Sequence, residues 1–374
     1  MIIAVNTRVL PDDYPSVYRY FIYEIFKRIA GNNPEHDFIF IADRKSDQSF
    51  VTGSNVKKIV TGPAANYRLL MKFWFDIKVP ALLRKYKADV FVSCDSICSL
   101  ATKVPQCIVL HDLAFLQKTS FMSKNQANFL KTNISKFLNK ANTITVTSLS
   151  AKQAIANNYN IAVSSIDVVF NAVAESFRPI SDEGKLITKN NCTEGKEFFL
   201  YVGDIHAANN LLNLLKAFSV FKKRQQTGMK LVLVGKVSKK YQSFRENLKS
   251  YKYRKDIVVI ENTTENELIN IIGSAYGLIN PSMYDGFVPS VLQAMRCNVP
   301  VITTIGSSMQ EITEGATLYV DGNSHRAIAD KMMLIYKDEN LGKKLGEKGK
   351  FIADKFNLDK TADLLWQSIL KAYK

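Results

Sequence analysis

The chain has 374 residues, of which 47% are hydrophobic and 22% are charged. This length is too great for one ordinary hydrophobic core and is typical of two domains of about 150 to 200 residues each. The formal net charge is +16, but the basic residues are spread over predicted helices without a nucleic-acid recognition motif. We therefore expect no nucleic-acid partner, while attraction to anionic lipid and a generally basic protein surface both remain open.

The first half of the chain alternates short apolar strands with amphipathic helices. Strands are predicted at 2–5, 37–42, 56–60, 89–93, 106–110, 143–147 and 166–169. Helical patterns occupy 17–30, 67–87, 123–140 and 148–157. Strands that alternate with helices predict a mostly parallel α/β sheet with helices on both faces, a doubly wound arrangement.

The second half repeats this scheme. Strands are predicted at 198–203, 230–235, 257–260, 276–280, 299–304 and 316–320, with helices at 210–223 and 265–272 and three more at the end. The polar stretch between the halves contains Pro179, Gly184 and Gly195, which are typical of a linker. The predicted division is a first domain at 1–172, a linker at 173–196, a second domain at 197–356 and a closing helix at 357–374 that could pack on the first domain.

The sequence favours a cytoplasmic protein. No apolar run is long enough to span a bilayer, and the chain enters a predicted strand at once, so neither a signal peptide nor a transmembrane helix is expected. The five cysteines form no disulfide framework, which fits a reducing compartment. The four histidines offer few metal ligands, and no metal is expected. Peripheral contact with the inner face of a membrane stays open.

The stretch 280–300, NPSMYDGFVPSVLQAMRCNVP, carries the strongest functional signal. A short strand runs into a glycine-containing loop. Pro289 stands where a helix can begin, because its fixed φ suits the first helical position and its missing N–H would be unpaired there. A strand followed by such a loop and a helix start can present backbone N–H groups to an anion.

This stretch resembles the acidic–seven–acidic motif of glycosyltransferase family 4, with Asp285 and Gln293 at the two motif positions. His111-Asp112 after a strand, the linker entry at Asn171, and the strand ends YVGD and LVLVGK resemble further family elements in the same order. The resemblance implies the GT-B fold, two Rossmann-like domains that face each other across a cleft. It also implies an N-terminal acceptor domain, a C-terminal donor domain and retaining, metal-independent transfer from a nucleotide-diphosphate sugar.

By this resemblance, Asp285 contacts the donor sugar and Gln293 holds the ribose hydroxyls. The amides expected to face the sugar or the phosphate are those of Gly286, Phe287 and Val288. The alternative for Asp285 is a helix cap, a common position for Asp. Gln293 is neutral where the family has Glu, although an amide can still bond a hydroxyl.

The expected phosphate grip differs from that of the family, which carries an Arg and a Lys after the first donor-domain strand. Here those positions read Asp204 or Ala208, and Asn209. A carboxylate facing a diphosphate would weaken binding. His206 and Lys236 are the candidate replacements, and the alternative for each is an ordinary polar surface residue.

Three further residues are candidates. His111 follows a strand and, by resemblance, donates to a sugar hydroxyl near the reacting carbon; the alternative is a core histidine bonded to backbone. Arg19 could reach a phosphate or the acceptor, or it could be helix-surface charge. Glu311 resembles a donor-side Glu of the family, although a Glu at any helix start looks similar.

The segment 67–87, YRLLMKFWFDIKVPALLRKYK, interleaves aromatic and basic residues. Such a helix can lie on a membrane surface. The alternative, which we favour for Trp74, is that the aromatic residues belong to the core and the lysines to the solvent face.

Two functions of different kinds remain open. The first is an enzyme that moves a hexose from a nucleotide-diphosphate sugar to a carbohydrate or lipid-linked acceptor, as in surface polysaccharide assembly. The second is a catalytically silent homologue that serves as a partner subunit or carbohydrate-binding protein, because three donor-site elements differ from the family's. These are the acidic pair, the basic pair and the glycine loop expected after the first strand, where 14–20 read YPSVYRY. A dehydrogenase is a weaker third option, since neither half opens with a Gly-x-Gly-x-x-Gly turn. The oligomeric state is not predicted.

Overall fold

The computed structural model describes residues 1–8, 16–45, 53–65, 67–111, 113, 115, 124–238, 241, 243–282, 287–306 and 308–374. The chain divides into two compact units. The first contains Met1–Asn171 and Leu358–Lys374, and the second contains Ala172–Asn357.

The first unit is built on a parallel sheet of seven strands. Its strands are β1 (Ile2–Asn6), β2 (Asp37–Ala42), β3 (Val56–Val60), β4 (Val90–Ser93), β5 (Gln106–Leu110), β6 (Thr143–Val146) and β7 (Ile166–Val168). The helices between these strands are α1 (Ser16–Asn32), α2 (Arg68–Phe73), α3 (Val79–Lys85), α4 (Lys124–Lys140) and α5 (Leu149–Tyr159). The strand order is β3-β2-β1-β4-β5-β6-β7. The central strands β4, β5 and β6 are buried along their whole length, as expected for a sheet covered on both faces.

The second unit contains a parallel sheet of six strands in the order β10-β9-β8-β11-β12-β13. These are β8 (Phe198–Val202), β9 (Lys230–Val234), β10 (Ile257–Ile260), β11 (Gly277–Asn280), β12 (Val301–Thr304) and β13 (Leu318–Val320). The helices are α6 (Asp182–Thr193), α7 (Leu211–Gln225), α8 (Ser243–Lys249), α9 (Glu265–Ser274), α10 (Pro289–Arg296), α11 (Ser308–Thr313), α12 (His325–Lys337) and α13 (Glu339–Ala353). The prediction of two parallel α/β sheets is thereby confirmed.

The predicted linker at 173–196 is wrong for its central part, which forms helix α6. The Ser181 side chain caps this helix by accepting a hydrogen bond from the Gly184 amide at 3.2 Å. The negative charges of Asp182 and Glu183 in the first turn interact favourably with the positive end of the helix dipole. Gly184, which suggested a linker, lies in that first turn. The Ser181 cap stabilises the helix there despite the low helix propensity of glycine.

The last helix, α14 (Leu358–Tyr373), belongs to the first unit. The Thr143 hydroxyl donates to the Ser368 carbonyl at 3.1 Å, and the Lys371 ammonium lies 2.7 Å from the Asp167 carboxylate. The ring of Trp366 packs against Phe38. The chain thus leaves the first unit after Asn171 and returns to it for its last seventeen residues.

The predicted helix over 67–87 is present but interrupted. Between α2 and α3 lies a π-helical turn, Trp74–Lys78. Within the ranges that the structure describes, no helix combines the length and the apolar character needed to cross a membrane.

Candidate functional site

Two glycines shape the carboxyl edge of the second sheet. Gly203 and Gly235 follow β8 and β9, and both have φ of 148°. A Cβ on Gly235 would lie 2.0 Å from the Gly203 carbonyl oxygen, so the two backbones cross at a distance that only glycine permits. Beyond the crossing, the Ile205 amide donates to the Lys236 carbonyl at 2.9 Å. This bond brings together the two segments that carry His206 and Lys236.

Neutral groups hold the loop after β8. The Asn209 amide donates to the Asp204 carbonyl at 2.5 Å, and the Tyr201 hydroxyl donates to the same oxygen at 3.0 Å. Burial, with a further contribution from the Asp204 charge, raises the pKa of Tyr201 well above its usual value, so the phenol stays a donor. Asn209 is buried and serves this loop, whereas Lys236 is exposed at the same edge.

The ends of β11 and β12 are tied together by hydroxyl and amide groups. The Thr304 hydroxyl donates to the Ser282 carbonyl at 2.6 Å, and the Asn280 amide donates to the Thr303 hydroxyl at 3.4 Å. The chain is thereby fixed at the entry to the acidic-glycine loop. Two predicted site residues of that loop, Asp285 and Gly286, lie outside the described residues.

Helix α10 begins beside the end of β8. The Ser290 hydroxyl donates to the Val202 carbonyl at 3.0 Å, and Pro289 occupies the first turn, as predicted. Phe287 is buried. The Val288 amide, expected to face the ligand, instead donates to the Met309 sulfur at 3.2 Å. That assignment is corrected: Val288 anchors α11 against the start of α10.

Gln293 lies on α10 and is 6% exposed. Among the residues that the structure describes, none forms a hydrogen bond with its side-chain amide. A side-chain amide without a hydrogen bond to the described residues can donate to and accept from a hydroxyl-bearing ligand. Glu311 lies in the first turn of α11, partly buried.

His111 follows β5 in the first unit and is buried among aromatic rings. Its ring centroid lies 4.8 Å from that of Tyr18 and 4.7 Å from that of Phe21. Burial lowers its pKa from 6.5 to about 3, and the nearby Cys94 backbone opposes this only in part. Within the described part of the chain, neither ring nitrogen has a partner at hydrogen-bond geometry. The ring is therefore neutral, and its burial beside the Cys94 backbone agrees with the alternative of a core histidine.

Three further residues singled out in the sequence are Arg19, Asn171 and Asp112. Arg19 lies near the start of α1 and is partly buried. Asn171, the last residue before the second unit, is buried, and its amide nitrogen and oxygen reach no partner among the described residues. Asp112 lies outside the described residues.

A buried charge cluster that was not predicted from the sequence lies at the carboxyl edge of the first sheet. The Arg8 guanidinium lies 2.7 Å from the Asp95 carboxylate, and both side chains are buried. The Ser93 hydroxyl donates to Asp95 at 2.9 Å, and the Asn6 amide donates to Ser93 at 3.0 Å. Arg8 also donates to the Ala65 carbonyl at 3.2 Å. The available signal was that polar residues directly follow the apolar strands IIAV and VFV.

No group of three or more His, Cys, Asp or Glu side chains that could hold a metal ion occurs within the described ranges. The described polar groups at the two edges include amides, hydroxyls, single cations and the Arg8–Asp95 ion pair. Such polar groups can form hydrogen bonds with a polyhydroxylated or phosphorylated ligand.

Two family models match the chain in succession. Residues 20–177 match the model described as Glycosyltransferase Family 4, and residues 182–351 match the model described as Glycosyl transferases group 1. A curated relative from Salmonella typhimurium, named as an O-antigen chain mannosyltransferase, is 25% identical over 223 residues. That match covers 59% of this chain and 58% of the relative, less than two thirds of the relative's length.

Solved structures resemble the whole chain in fold. WaaG, titled a glycosyltransferase involved in lipopolysaccharide biosynthesis, has a TM-score of 0.80 at 12% identity over 99% of both chains. The Anabaena protein HepE, solved with UDP-glucose, has a TM-score of 0.78 at 12% identity over 99% of both chains. With the two family matches and the two parallel sheets, these findings confirm the resemblance seen in the sequence. Residues 20–177 thus belong to the family 4 glycosyltransferases and residues 182–351 to the group 1 glycosyl transferases, and the chain has the GT-B fold.

Proposed function

We propose that this protein transfers a hexose from a nucleotide-diphosphate sugar to a carbohydrate or lipid-linked acceptor in surface polysaccharide assembly. The observation that carries the proposal is Gln293, which is 6% exposed on the helix that starts beside the end of β8 and whose side-chain amide forms no hydrogen bond with the described residues. Similar proteins support the class of reaction, since one relative is named an O-antigen chain mannosyltransferase and one structure of similar fold was solved with UDP-glucose.

In this proposal the second unit binds the donor. The diphosphate gains negative charge as it leaves, so it needs compensation from nearby positive groups. Lys236 and the N-terminus of α10 supply that compensation, aided by His206 when it is protonated. Gln293 bonds the ribose hydroxyls, and Asp285 contacts the sugar. Retention of configuration and independence of metal are inferred from the family resemblance.

The first unit would bind the acceptor. His111 is neutral and buried, so in its uncharged form it can donate from one ring nitrogen and accept at the other. Such a ring can hold a sugar hydroxyl without adding charge to the site. The free cysteines, four of them buried, agree with a protein that works in the reducing cytoplasm.

Calorimetric titration with UDP-, GDP- and ADP-linked sugars tests the proposal. We expect one nucleotide sugar, with GDP-mannose and UDP-glucose tried first, to bind at submillimolar concentration and to be hydrolysed slowly without an acceptor. Gln293→Ala should weaken that binding about tenfold, as loss of a bonded buried amide implies. Gln226→Ala, an exposed glutamine of the same unit, is the matched control and should change nothing. Absence of binding by every sugar at millimolar concentration would reject a catalytic role.

A further inference from the structure

Helix α2 and the π-helical turn after it have two different faces. On one face, Trp74 and Phe75 are buried, and the Trp74 indole donates to the Thr61 carbonyl at 2.8 Å. The expectation that Trp74 is a core residue is therefore correct. The opposite face exposes large apolar side chains, which the core interpretation of this segment did not predict.

We call that opposite face the Leu69 face, and it consists of Tyr67, Leu69, Phe73 and Ile77. Leu69 is 81% exposed and Ile77 is 56% exposed. The last three residues follow at intervals of four, so they lie along one side of the helix. A single exposed apolar residue needs no explanation, but several in a row mark a surface that another apolar phase covers.

The charges on and beside this face are almost all positive. Residues 67–87 contain six basic residues and one acidic residue. The acidic residue, Asp76, accepts a hydrogen bond from the Leu100 amide at 2.8 Å, so its carboxylate is engaged within the unit. Lys78 lies over the Phe73 ring, 5.7 Å from its centroid. Exposed basic side chains in the same segment are Arg68, Lys72, Arg84, Lys85 and Lys87.

Exposed apolar side chains beside basic ones favour one kind of partner for the Leu69 face, an anionic lipid bilayer. At the surface of an anionic bilayer, apolar side chains enter the boundary of the acyl chains while basic side chains meet lipid phosphates. A second copy of the same face would bring like charges together, which opposes self-association. Nucleic acid would meet the basic groups but would leave the apolar side chains in water.

We propose that the Leu69 face docks the first unit on an anionic lipid bilayer. This docking depends on the Leu69 face alone and not on the transfer reaction, so it can be tested separately from the proposed function. If the acceptor is lipid-linked, this docking would also hold the protein at the surface where the acceptor lies.

Co-sedimentation of the full chain with vesicles tests the proposal. We expect binding to vesicles of phosphatidylcholine with 30% phosphatidylglycerol, about tenfold or more above binding to phosphatidylcholine alone. The double variant Leu69→Ser with Ile77→Ser should lower the partition coefficient about tenfold, because each buried methylene adds to membrane affinity. Arg68→Glu with Lys72→Glu should lower it about thirtyfold or more, since each basic group at such a surface contributes about fivefold.

Matched controls separate this face from the overall positive charge. Leu186→Ser with Ile187→Ser removes two exposed apolar residues from the second unit, where Leu186 is 58% exposed. Lys343→Glu with Lys344→Glu changes the net charge as much as the first charge variant does. Both controls should stay within about threefold of the unmodified chain, as screening limits distant charges. If the Lys343 and Lys344 variant loses as much binding as the Arg68 and Lys72 variant, adsorption is general and the proposal is wrong.

A second measurement does not depend on loss of affinity. An environment-sensitive dye on Leu69→Cys should shift to shorter wavelength when anionic vesicles are added, while the same dye on Leu186→Cys should not, after subtraction of the signal of the labelled unmodified chain. Absence of a shift at position 69 would overturn the proposal. So would sedimentation velocity that finds the unmodified chain dimeric and the Leu69 and Ile77 variant monomeric, because the face would then contact a second copy.

Discussion

The two units share a strand order but differ at the edge where functional loops emerge. Each sheet places its first strand in the middle, beside its second strand on one side and its fourth on the other. At the first edge, a buried ion pair between Arg8 and Asp95 is enclosed by polar neighbours. At the second edge, two glycines let backbones cross, and neutral amides and hydroxyls hold the loops.

This difference shows that topology decides where the loops lie, while individual residues decide what the loops can bind. The charges of the ion pair at the first edge neutralise each other. At the second edge, Gln293 is largely buried and Lys236 is exposed. Four changes, from the largest expected effect to the smallest, test whether this contrast is real.

Substitution of the ion pair at the first edge should lower the free energy of unfolding more than any other change considered. Asp95→Asn keeps the shape but removes the carboxylate charge that faces the buried Arg8 guanidinium, and it should cost about 3 to 5 kcal/mol of unfolding free energy. Both tryptophans of the chain, Trp74 and Trp366, lie in the first unit, so urea unfolding followed by their fluorescence reports on this unit.

Lys371→Gln is the control for that measurement, because it breaks the more exposed pair with Asp167 and should cost less than about 1 kcal/mol. The double replacement Arg8→Met with Asp95→Leu should recover most of the loss, since no unpaired charge remains. Equal stability of Asp95→Asn and the unmodified chain would mean that the pair does not organise this edge.

The glycine crossing is the counterpart at the second edge. Gly235→Ala should cost about 3 kcal/mol, because a Cβ there meets the Gly203 carbonyl at 2.0 Å and the φ of 148° disfavours a side chain. Gly306→Ala shares a positive φ, 83°, but meets no atom within 4 Å, so it should cost only about 1 kcal/mol. Calorimetric unfolding measures both. Similar values for the two variants would show that close backbone approach is not the cause.

His111 should make the first unit sensitive to pH. The folded pKa of about 3 lies below the unfolded value near 6.5, so the unfolded state binds more protons between these limits. Stability is therefore complete above pH 6.5 and should fall by up to about 1.4 kcal/mol per pH unit as the pH drops towards 3.

His111→Phe, which keeps an aromatic ring beside Tyr18 and Phe21, should flatten that dependence between pH 6.5 and 4.5. The comparison uses the slopes of the two stability curves followed by tryptophan fluorescence, so a uniform offset between the proteins does not matter. Parallel slopes would mean that the folded protein protonates this ring freely.

The smallest effect concerns the ligand site of the second edge. Once a nucleotide sugar is found to bind, Gln293→Glu should strengthen that binding about tenfold, because a carboxylate accepts hydroxyl hydrogen bonds more strongly than an amide does. Gln226→Glu adds the same charge at an exposed position of the same unit and should have no effect. Weaker binding by Gln293→Glu would place the ribose elsewhere.

Prediction from the sequence succeeded where the signal was local and repeated. Every strand was predicted within two residues at each end, because buried parallel strands are continuous apolar runs between polar turns. Prediction failed at helix α6, whose order depends on a Ser181 cap and on packing against α9. It also failed for the Val288 amide, since no local pattern indicates that the Met309 sulfur accepts its hydrogen bond.

The sequence by itself determined the order of strands and helices, the parallel α/β class and the family motifs, because these depend on side-chain periodicity and on short spacings along the chain. Only the tertiary structure decided which polar groups are satisfied and which face outward. Arg8 and Asp95 are 87 residues apart in the chain, and their pairing depends on β1 and β4 lying side by side. The same holds for segment 67–78, where packing against the unit decided that Trp74 is buried and Leu69 is exposed.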